Sequence, residues 1–312
     1  MSLRIFTEPQ MGATYDQLLA FARTSEECGF DAFFRSDHIL TMGAGGGRPG
    51  YTDAWTTLAG LARDTRTIRL GTLVTPVTFR PPGLFTVIAT QVDHMSGGRI
   101  EVGLGAGWFG EEHSAYALPF PPIRTRYDLL EDQLEMLHGV WKSPDGSTFE
   151  MTGRTSSVQL QADPLRPRQR PHPPIILGGS GAPRSSRLAA TYADEYNVPF
   201  ESVEATATAH DNVRRACEQA GRDPAELVWS AAQTVCCGRS EEEIVRRAAA
   251  IGQDPARLRE HGLGGTPDEL LEKMGRFAAT GVERFYLQAL DLSDHDHLRL
   301  IADEVLPRAP GR

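Results

Sequence analysis

Short apolar segments alternate with amphipathic segments along this whole chain, and this alternation restricts the fold more than any other feature. The stretches between the apolar segments repeat apolar residues at spacings of three and four, which is typical of helices that cover a sheet. Strands that alternate with helices form a parallel sheet, and eight such units close it into a barrel. We therefore predict a single (β/α)8 TIM barrel domain over residues 1–312. Its predicted strands span residues 3–6, 32–34, 68–74, 100–104, 175–177, 195–198, 227–235 and 284–288.

Two segments, residues 36–53 and 142–174, are longer than the loops that connect the elements of a bare barrel. The first is rich in glycine, and the second holds six prolines. Segments of this length in a compact domain usually act as lids or binding insertions. Because barrel chemistry gathers at the carboxyl ends of the strands, we expect both insertions near that face.

The composition argues against several classes of partner and ligand. A formal net charge of −9 disfavours nucleic acid, because phosphate binding needs a basic field. The apolar runs are shorter than a membrane-spanning helix needs and the amino terminus lacks a signal-peptide pattern, so we expect a cytoplasmic protein without a membrane partner. The four cysteines lack metal-ligand spacing. His295 and His297 lie at the start of the last predicted helix rather than at the end of the first strand, so we expect no metal site.

A glycine-rich segment follows the predicted strand at residues 100–104. Gly103, Gly105 and Gly107 occupy alternate positions there, which predicts close approach of the backbone to a flat or phosphorylated group. Gly105, Gly107 and Gly110 also satisfy the dinucleotide-binding pattern GxGxxG. That pattern should open a helix in the first βαβ unit, whereas this one lies a third of the way along the chain and runs into a proline-rich stretch. We therefore discard the Rossmann interpretation.

Four motifs at predicted strand ends carry a family resemblance. They read ARTSEECGFDAFFRSDH, IRLGTLVTPVTFRPP, SGGRIEVGLGAGWFGEEH, and PPIILGGSG followed by LAATYADEYN. Through these motifs, in this order, the chain resembles the luciferase-like monooxygenase family over nearly its whole length. The stretch GAGWFGEEH with the following ALPFPP is similar to the branch that uses the deazaflavin coenzyme F420. The resemblance implies a (β/α)8 barrel that holds a flavin-type ring at the carboxyl ends of its strands.

The resemblance also implies roles for individual residues. Asp37 and His38 match a catalytic pair in which the histidine lies beside the ring and the aspartate helps to fix it. Trp108 stands where sugar-phosphate dehydrogenases of the superfamily have a carboxylate, and Ser202 where they have a lysine, so we expect a flatter, more apolar substrate stacked near Trp108. Cofactor contacts are implied for the strand-three bulge, where relatives often have a cis peptide bond without proline, for the strand-four glycines and for a phosphate-binding loop after strand five. These residues are Leu73, Val74, Thr75, Gly105, Ala106, Gly107, Gly178, Gly179, Ser180 and Gly181.

Other polar residues near the predicted strand ends have two interpretations. Glu8 follows strand one and is either a pocket carboxylate or a solvated turn residue. Glu111, Glu112 and His113 resemble a catalytic cluster, but capping and ion pairing within their loop is the simpler interpretation.

Three functions fit this sequence. The first is an oxidoreductase that moves hydride between coenzyme F420 and a small organic substrate, and the second is an FMN-dependent monooxygenase that uses reduced flavin and oxygen. The third is a non-catalytic barrel that only binds a flavin-like ligand. Just two of the 32 basic residues are lysine, a bias of GC-rich bacterial genomes, in which deazaflavin users are common. We therefore favour the first function, in a protein that is a homodimer, as its relatives commonly are.

Overall fold

The computed structural model describes residues 1–42 and 52–311 and has β-strands and α-helices in alternation. The strands are β1 (Ser2–Thr7), β2 (Ala32–Arg35), β3 (Arg69–Thr72), β4 (Thr75–Pro76), β5 (Ile100–Gly105), β6 (Thr148–Thr152), β7 (Ser157–Gln161), β8 (Ile175–Gly178), β9 (Glu195–Pro199), β10 (Val228–Cys237), β11 (Leu263–Gly265) and β12 (Arg284–Ala289). The helices are α1 (Tyr15–Glu27), α2 (Ala54–Asp64), α3 (Pro82–Ser96), α4 (Gly110–Ala115), α5 (Ile123–Lys142), α6 (Pro183–Tyr192), α7 (Val203–Gln219), α8 (Glu241–Ala250), α9 (Pro255–His261), α10 (Pro267–Ala279) and α11 (His295–Glu304).

Eight parallel strands close into a barrel. Their order around it is β1, β2, β3, β5, β8, β9, β10 and β12, and β12 returns to β1 in a six-residue register from Ser2 opposite Arg284 to Thr7 opposite Ala289. Each predicted strand coincides with one of these eight, so the predicted (β/α)8 barrel is confirmed. In the described part of the chain, the helices are all too short or too polar to cross a membrane.

The strand predicted at residues 68–74 is interrupted in the structure. Strand β3 ends at Thr72, Leu73 and Val74 leave the ladder, and β4 resumes pairing with β5 at Thr75. A β-carbon on Gly103 of β5 would lie 1.9 Å from the Thr72 carbonyl oxygen. Gly103 therefore lets two strands approach each other at the bulge, and this use of the glycine differs from the ligand approach predicted for it.

Ion pairs occupy the interior of the barrel near the amino ends of its strands. Arg4 Nη2 donates to Glu101 Oε1 (3.1 Å), and Arg4 Nη1 donates to Tyr286 Oη (3.1 Å). Tyr286 Oη in turn donates to Glu195 Oε1 (2.8 Å). Burial alone would raise the pKa of Glu101, but the charge and hydrogen bonds of Arg4 outweigh it and lower that pKa to about 2. Glu101 is therefore held in paired, ionised form, as a buried charge requires.

Above this layer the barrel interior becomes apolar. Phe6, Ala32, Phe34, Ile176 and Ala232 form this apolar layer, with Leu73 packed against them, and the ring of Tyr286, whose hydroxyl belongs to the ion-pair layer, completes the cluster. A much larger apolar core lies between the barrel and its helices. The two layers fill the lower and middle barrel, so the open end lies at the carboxyl ends of the strands.

One of the two predicted insertions lies at a different face from the one expected. Residues 142–174 connect the end of α5 to the start of β8 and contain the antiparallel β6–β7 hairpin. Their last part bonds to the end of α3, where the Arg168 amide donates to Asp93 Oδ2 (2.6 Å), and to the start of β5, where Gln169 Nε2 donates to the Ile100 carbonyl (2.7 Å). The prediction for this segment is wrong because a connection that leaves a helix and enters a parallel strand must reach the amino end of that strand.

The other insertion, residues 36–53, follows β2 at the expected carboxyl face. Residues 43–51 of it lie outside the described residues. Ser36, His38 and Met42, in its described first part, line the cavity at this face.

We expect Gly103→Ala to destabilise the barrel by about 3 kcal/mol or more, because the added methyl group meets backbone rather than a movable side chain. The matched control is Gly275→Ala in α10, where a β-carbon has no neighbour within 4 Å, so this change should be neutral or should stabilise the protein by up to about 1 kcal/mol. Free energies of unfolding from urea titration measure both effects. Equal stabilities of the two variants would contradict the strand-packing role of Gly103.

Candidate active site

A cavity of about 730 Å³ opens at the carboxyl ends of the barrel strands, a size typical of pockets that bind small molecules. Its wall includes nine of the residues predicted for the site: His38, Leu73, Val74, Gly105, Ala106, Gly107, Trp108, Gly178 and Gly179. Asp37, Thr75, Ser180 and Gly181 lie next to this set without lining the cavity. The residues singled out at four separate strand ends are therefore brought together at one place.

One side of the cavity is formed by backbone and small apolar side chains. The Leu73–Val74 peptide bond is cis, as the resemblance implies. Val74 faces the glycines of β5, because a β-carbon on Gly105 would lie only 2.8 Å from Val74 Cγ2. Gly107 follows with a φ of +77°, and its carbonyl accepts a hydrogen bond from Arg126 Nη1. The result is a side-chain-poor surface against which a planar ring fits.

Arg126 is the residue that supports this surface from outside. Its guanidinium also donates through Nε to the Pro121 carbonyl (3.0 Å) and lies 4.0 Å from the centre of the Phe120 ring. The side chain is buried, and that burial lowers its pKa. Arg126 therefore holds the Gly107 turn in place through its own hydrogen bonds.

The loop after β8 leads into the amino end of α6. The Gly179 amide donates to the Asn197 carbonyl (3.1 Å), and the Gly181 amide donates to Tyr196 Oη (3.0 Å). Of the three amides at residues 179–181, that of Ser180 has no partner among the described residues. The first turn of α6 adds amides that lack an intrahelical acceptor, as every helix start does. An anion placed here meets the Ser180 amide and the positive end of the helix dipole.

Half-buried His38 and fully buried Glu112 form a pair at the opposite edge of the glycine surface. His38 Nδ1 lies 3.0 Å from Glu112 Oε2, while Glu112 Oε1 accepts hydrogen bonds from the amides of Ile39 and Leu40. Burial of the ring would lower the pKa of His38, but the hydrogen bond and charge of Glu112 outweigh it, and the pKa of His38 is raised. The second ring nitrogen of His38 takes no part in this pair and is the one available to a ligand.

Glu112 is the site residue that the sequence interpretation placed wrongly. We expected it to cap or ion-pair within its own loop, whereas its side chain, fully buried, reaches from α4 to the loop after β2. The spacing between His38 and Glu112 contains no signal of this contact, because it depends on how two βα loops meet. Its neighbour Glu111 is exposed, as expected for a residue at a helix surface.

Asp37 contacts residues other than His38. Its carboxylate accepts hydrogen bonds from Thr75 Oγ1 (2.8 Å) and Arg80 Nη1 (2.6 Å). Arg80 also pairs with Asp53, at the end of the insertion that begins beside Asp37. Asp37 and Thr75 thus join the loop after β2 to the bulge. The hydrogen-bond partner of the His38 imidazole is Glu112 rather than Asp37.

Aromatic side chains form the outer rim of the cavity. Trp108 is 66% exposed and meets the His38 ring edge to face, with 5.5 Å between ring centres. Phe109 stacks on Trp108 at 5.3 Å. Phe200, after β9, is 46% exposed on the same cavity. A flat apolar molecule can pack against this rim.

Two histidines from the sequence analysis lie elsewhere. His295 Nδ1 is 2.7 Å from Thr24 Oγ1, and His297 Nε2 accepts a hydrogen bond from the Cys237 amide (2.8 Å). His295 therefore joins the start of α11 to α1, and His297 joins α11 to β10.

Comparisons with known proteins agree with this geometry. The family model described as luciferase-like monooxygenase matches residues 1–261. The chain is 26% identical to an F420-dependent glucose-6-phosphate dehydrogenase of Nakamurella multipartita, over 94% of this chain and 92% of that protein. It is 29% identical to an FMNH2-dependent dimethylsulfone monooxygenase of Pseudomonas putida, over 62% of this chain and 51% of the relative.

A solved structure shows the same fold. The F420-dependent secondary alcohol dehydrogenase in complex with an F420–acetone adduct superposes with a TM-score of 0.81 at 18% identity and covers 98% of each chain. The solved structure shows the fold, and the family model shows the family. The relatives from Nakamurella multipartita and Pseudomonas putida are named as F420-dependent and FMNH2-dependent enzymes. The chain belongs to the luciferase-like monooxygenase family and is an oxidoreductase.

Proposed function

We propose that this protein transfers hydride between coenzyme F420 and a small organic substrate at the mouth of the barrel. The observation that carries the proposal is the pair of half-buried His38 and buried Glu112 beside a glycine-lined surface in one cavity. Oxidation of an alcohol removes a hydride and a proton together, so a ring-binding surface and a proton acceptor must lie side by side. The relative matched over nearly its full length is named as F420-dependent, which supports the deazaflavin over FMN.

The residues present fit such a cofactor. Val74, Gly105 and Gly107 offer a flat surface to its ring, and the Ser180 amide with the start of α6 offers donors to its phosphate. When bound, the deazaflavin supplies a ring carbon that exchanges hydride and does not activate oxygen as a flavin does. Trp108 then borders the space left for the substrate.

His38 is the proposed proton-transfer residue. The ring nitrogen that is not bonded to Glu112 accepts the proton of the substrate hydroxyl during oxidation, and returns it in the reverse direction. Glu112 keeps the imidazole in one orientation and stabilises the imidazolium, as the raised pKa of His38 reflects. Asp37 is a positioning residue, because its hydrogen bonds with Thr75 and Arg80 fix the start of the loop that carries His38.

The proposal predicts that the purified protein binds F420 at least about tenfold more tightly than FMN, a difference of about 1.4 kcal/mol. Titration followed by cofactor fluorescence measures both affinities under one set of conditions. Tight FMN binding without affinity for F420 would favour the FMN-dependent monooxygenase instead. Binding of either cofactor without turnover of any alcohol, aldehyde or ketone would favour the non-catalytic barrel.

Gly179→Asp should weaken cofactor binding at least about tenfold, because it places a negative charge beside the proposed phosphate site. Gly179 has a φ of +149°, so any side chain strains the backbone there. Gly179→Ala is therefore the matched control, since it adds the strain without the charge. Affinities of the two variants are compared by the same titration, with thermal melting to confirm folding. Equal affinities would mean that the phosphate lies elsewhere.

Glu112→Gln should lower the pKa of His38, because it removes the carboxylate charge that raises this pKa while it keeps the side-chain shape. The raised pKa also implies that the His38–Glu112 pair stabilises the fold below the ordinary histidine pKa and loses this effect as pH rises through the His38 value. Titration of the imidazole by NMR, assigned with a His38→Asn variant, measures the shift. Glu111→Gln, at the exposed neighbouring position, should leave the titration unchanged. A His38 pKa insensitive to Glu112→Gln would exclude the pair as the proton-transfer unit.

A further inference from the structure

The cavity has a second side whose chemistry the proposed function does not use. The bulge and glycines come from β3, β5 and β8, whereas β1, β12 and β10 lie across the barrel from them. That side presents polar groups at the cavity wall, at the carboxyl ends of these three strands. They are Glu8, Gln233, Thr234 and Gln288.

Glu8 is the centre of a hydrogen-bonded chain on this side. Glu8 Oε1 accepts from Gln288 Nε2 (3.0 Å), and Glu8 Oε2 accepts from Gln10 Nε2. The carbonyl ends of both amides are held by hydroxyls, because Thr234 Oγ1 donates to Gln288 Oε1 (2.6 Å) and Ser36 Oγ donates to Gln10 Oε1 (2.6 Å). We refer to these five residues as the Glu8 relay. With both amides oriented in this way, the carboxylate only accepts hydrogen bonds.

The Glu8 carboxylate is buried but has no ion pair. Its residue is 7% exposed, and among the described residues no lysine or arginine lies within ion-pair distance of it. Each carboxylate oxygen can accept about two hydrogen bonds, and each accepts one from the relay. A buried carboxylate that retains free acceptor sites needs a further donor or positive charge. Since Glu8 lines the cavity, a bound molecule is in position to supply that group.

Glu8 faces the same space as the proposed proton-transfer residue. Both side chains line the one cavity, and the charge of Glu8, after that of Glu112, is one of those that raise the pKa of His38. Phe6 and Phe200 flank the cavity on the Glu8 side, and Trp108 borders it beside His38. A molecule bound between Glu8 and His38 therefore contacts aromatic rings along its body and one hydrogen-bond acceptor at the Glu8 relay.

We propose that Glu8 is a specificity-determining residue that accepts a hydrogen bond from the substrate, and that the substrate carries a hydroxyl or amine donor beside an apolar body. This inference rests on the proposed function only in placing the substrate at the barrel mouth. A substrate with a carboxylate or phosphate at this end is disfavoured, because like charges would meet in a buried place. The proposed reaction at His38 is unchanged by it.

Three probes of one shape separate these chemistries. Benzylamine, benzyl alcohol and benzoate share the ring but carry a cation, a neutral donor and an anion. Each is titrated calorimetrically into protein loaded with whichever cofactor it binds, F420 or FMN. Benzylamine should bind most tightly and benzoate most weakly. Arg257, exposed at the edge of the cavity, is present in every protein compared, so its attraction for anions cancels between variants.

Glu8→Gln should weaken benzylamine at least about tenfold and strengthen benzoate, while cofactor affinity stays within about twofold. The matched control is Glu218→Gln on the exposed side of α7, which should change none of the affinities. Thr234→Val leaves Glu8 in place but removes the hydroxyl that orients the Gln288 amide. Because Gln288 then holds the Glu8 carboxylate less firmly, the affinity for benzylamine should fall, by a smaller factor than in Glu8→Gln. This second variant keeps the test valid if Glu8→Gln fails to fold.

The proposal is overturned if the ratio of benzylamine affinity to benzoate affinity is the same in wild type and Glu8→Gln, if benzoate binds most tightly to the wild type, or if neither donor probe binds. These results differ from a failure of the proposed function, which would appear as absent F420 binding in the wild type. A protein that binds FMN and still discriminates the probes through Glu8 would retain the specificity residue under the alternative chemistry.

Discussion

The paired charges inside the lower barrel determine what the amino-terminal half of the barrel interior contains. Arg4, Glu101, Glu195 and Tyr286 fill the amino-terminal half of the barrel with groups that must stay bonded to one another. With the apolar layer of Phe6, Phe34 and Ile176 above them, these groups separate the cavity at the carboxyl end from the amino side of the barrel, where a second cavity of about 440 Å³ is lined in part by Arg4 and Glu101. The position of the carboxyl-end cavity on the strand ends is what brings residues from separate βα loops together.

The candidate site divides by strand. The half formed by β3, β5 and β8 presents backbone and small side chains, and the half formed by β1, β10 and β12 presents hydrogen-bonding side chains. His38 lies between the halves, held by Glu112 from α4. A planar cofactor needs a surface free of side chains, whereas a small substrate needs specific polar contacts. Under the proposed function the same barrel mouth would meet both needs, because its strands present different residue types.

The sequence predicted those parts of the molecule that depend on local pattern. The eight barrel strands, the glycine surface and the position of His38 at a strand end all follow from apolar runs and motifs, and the structure confirms the fold. Glu112 could not be placed in the same way, because its partner His38 belongs to another loop. Gly103 was assigned to a ligand although it makes room for the Thr72 carbonyl, since a glycine's pattern does not say what approaches it.

Connectivity explains the other difference between expectation and structure. Residues 142–174 were placed at the mouth because of their length, but in a parallel barrel the face reached by a loop depends on the type of element it enters. The roles of Leu73, Ser180 and the other implied cofactor contacts stay predictions, as do the homodimer and the cytoplasmic location. They depend on molecules other than this chain, which no pattern within it specifies.

Arg80 has a consequence for how much the segment after β2 can vary in length. It pairs with Asp37 and with Asp53, so the two ends of the segment after β2 are tied to a single guanidinium. The entropy cost of closing a loop between fixed ends grows only with the logarithm of its length. The segment can therefore gain or lose residues in evolution while the loop base, and with it His38, stays in register with the barrel.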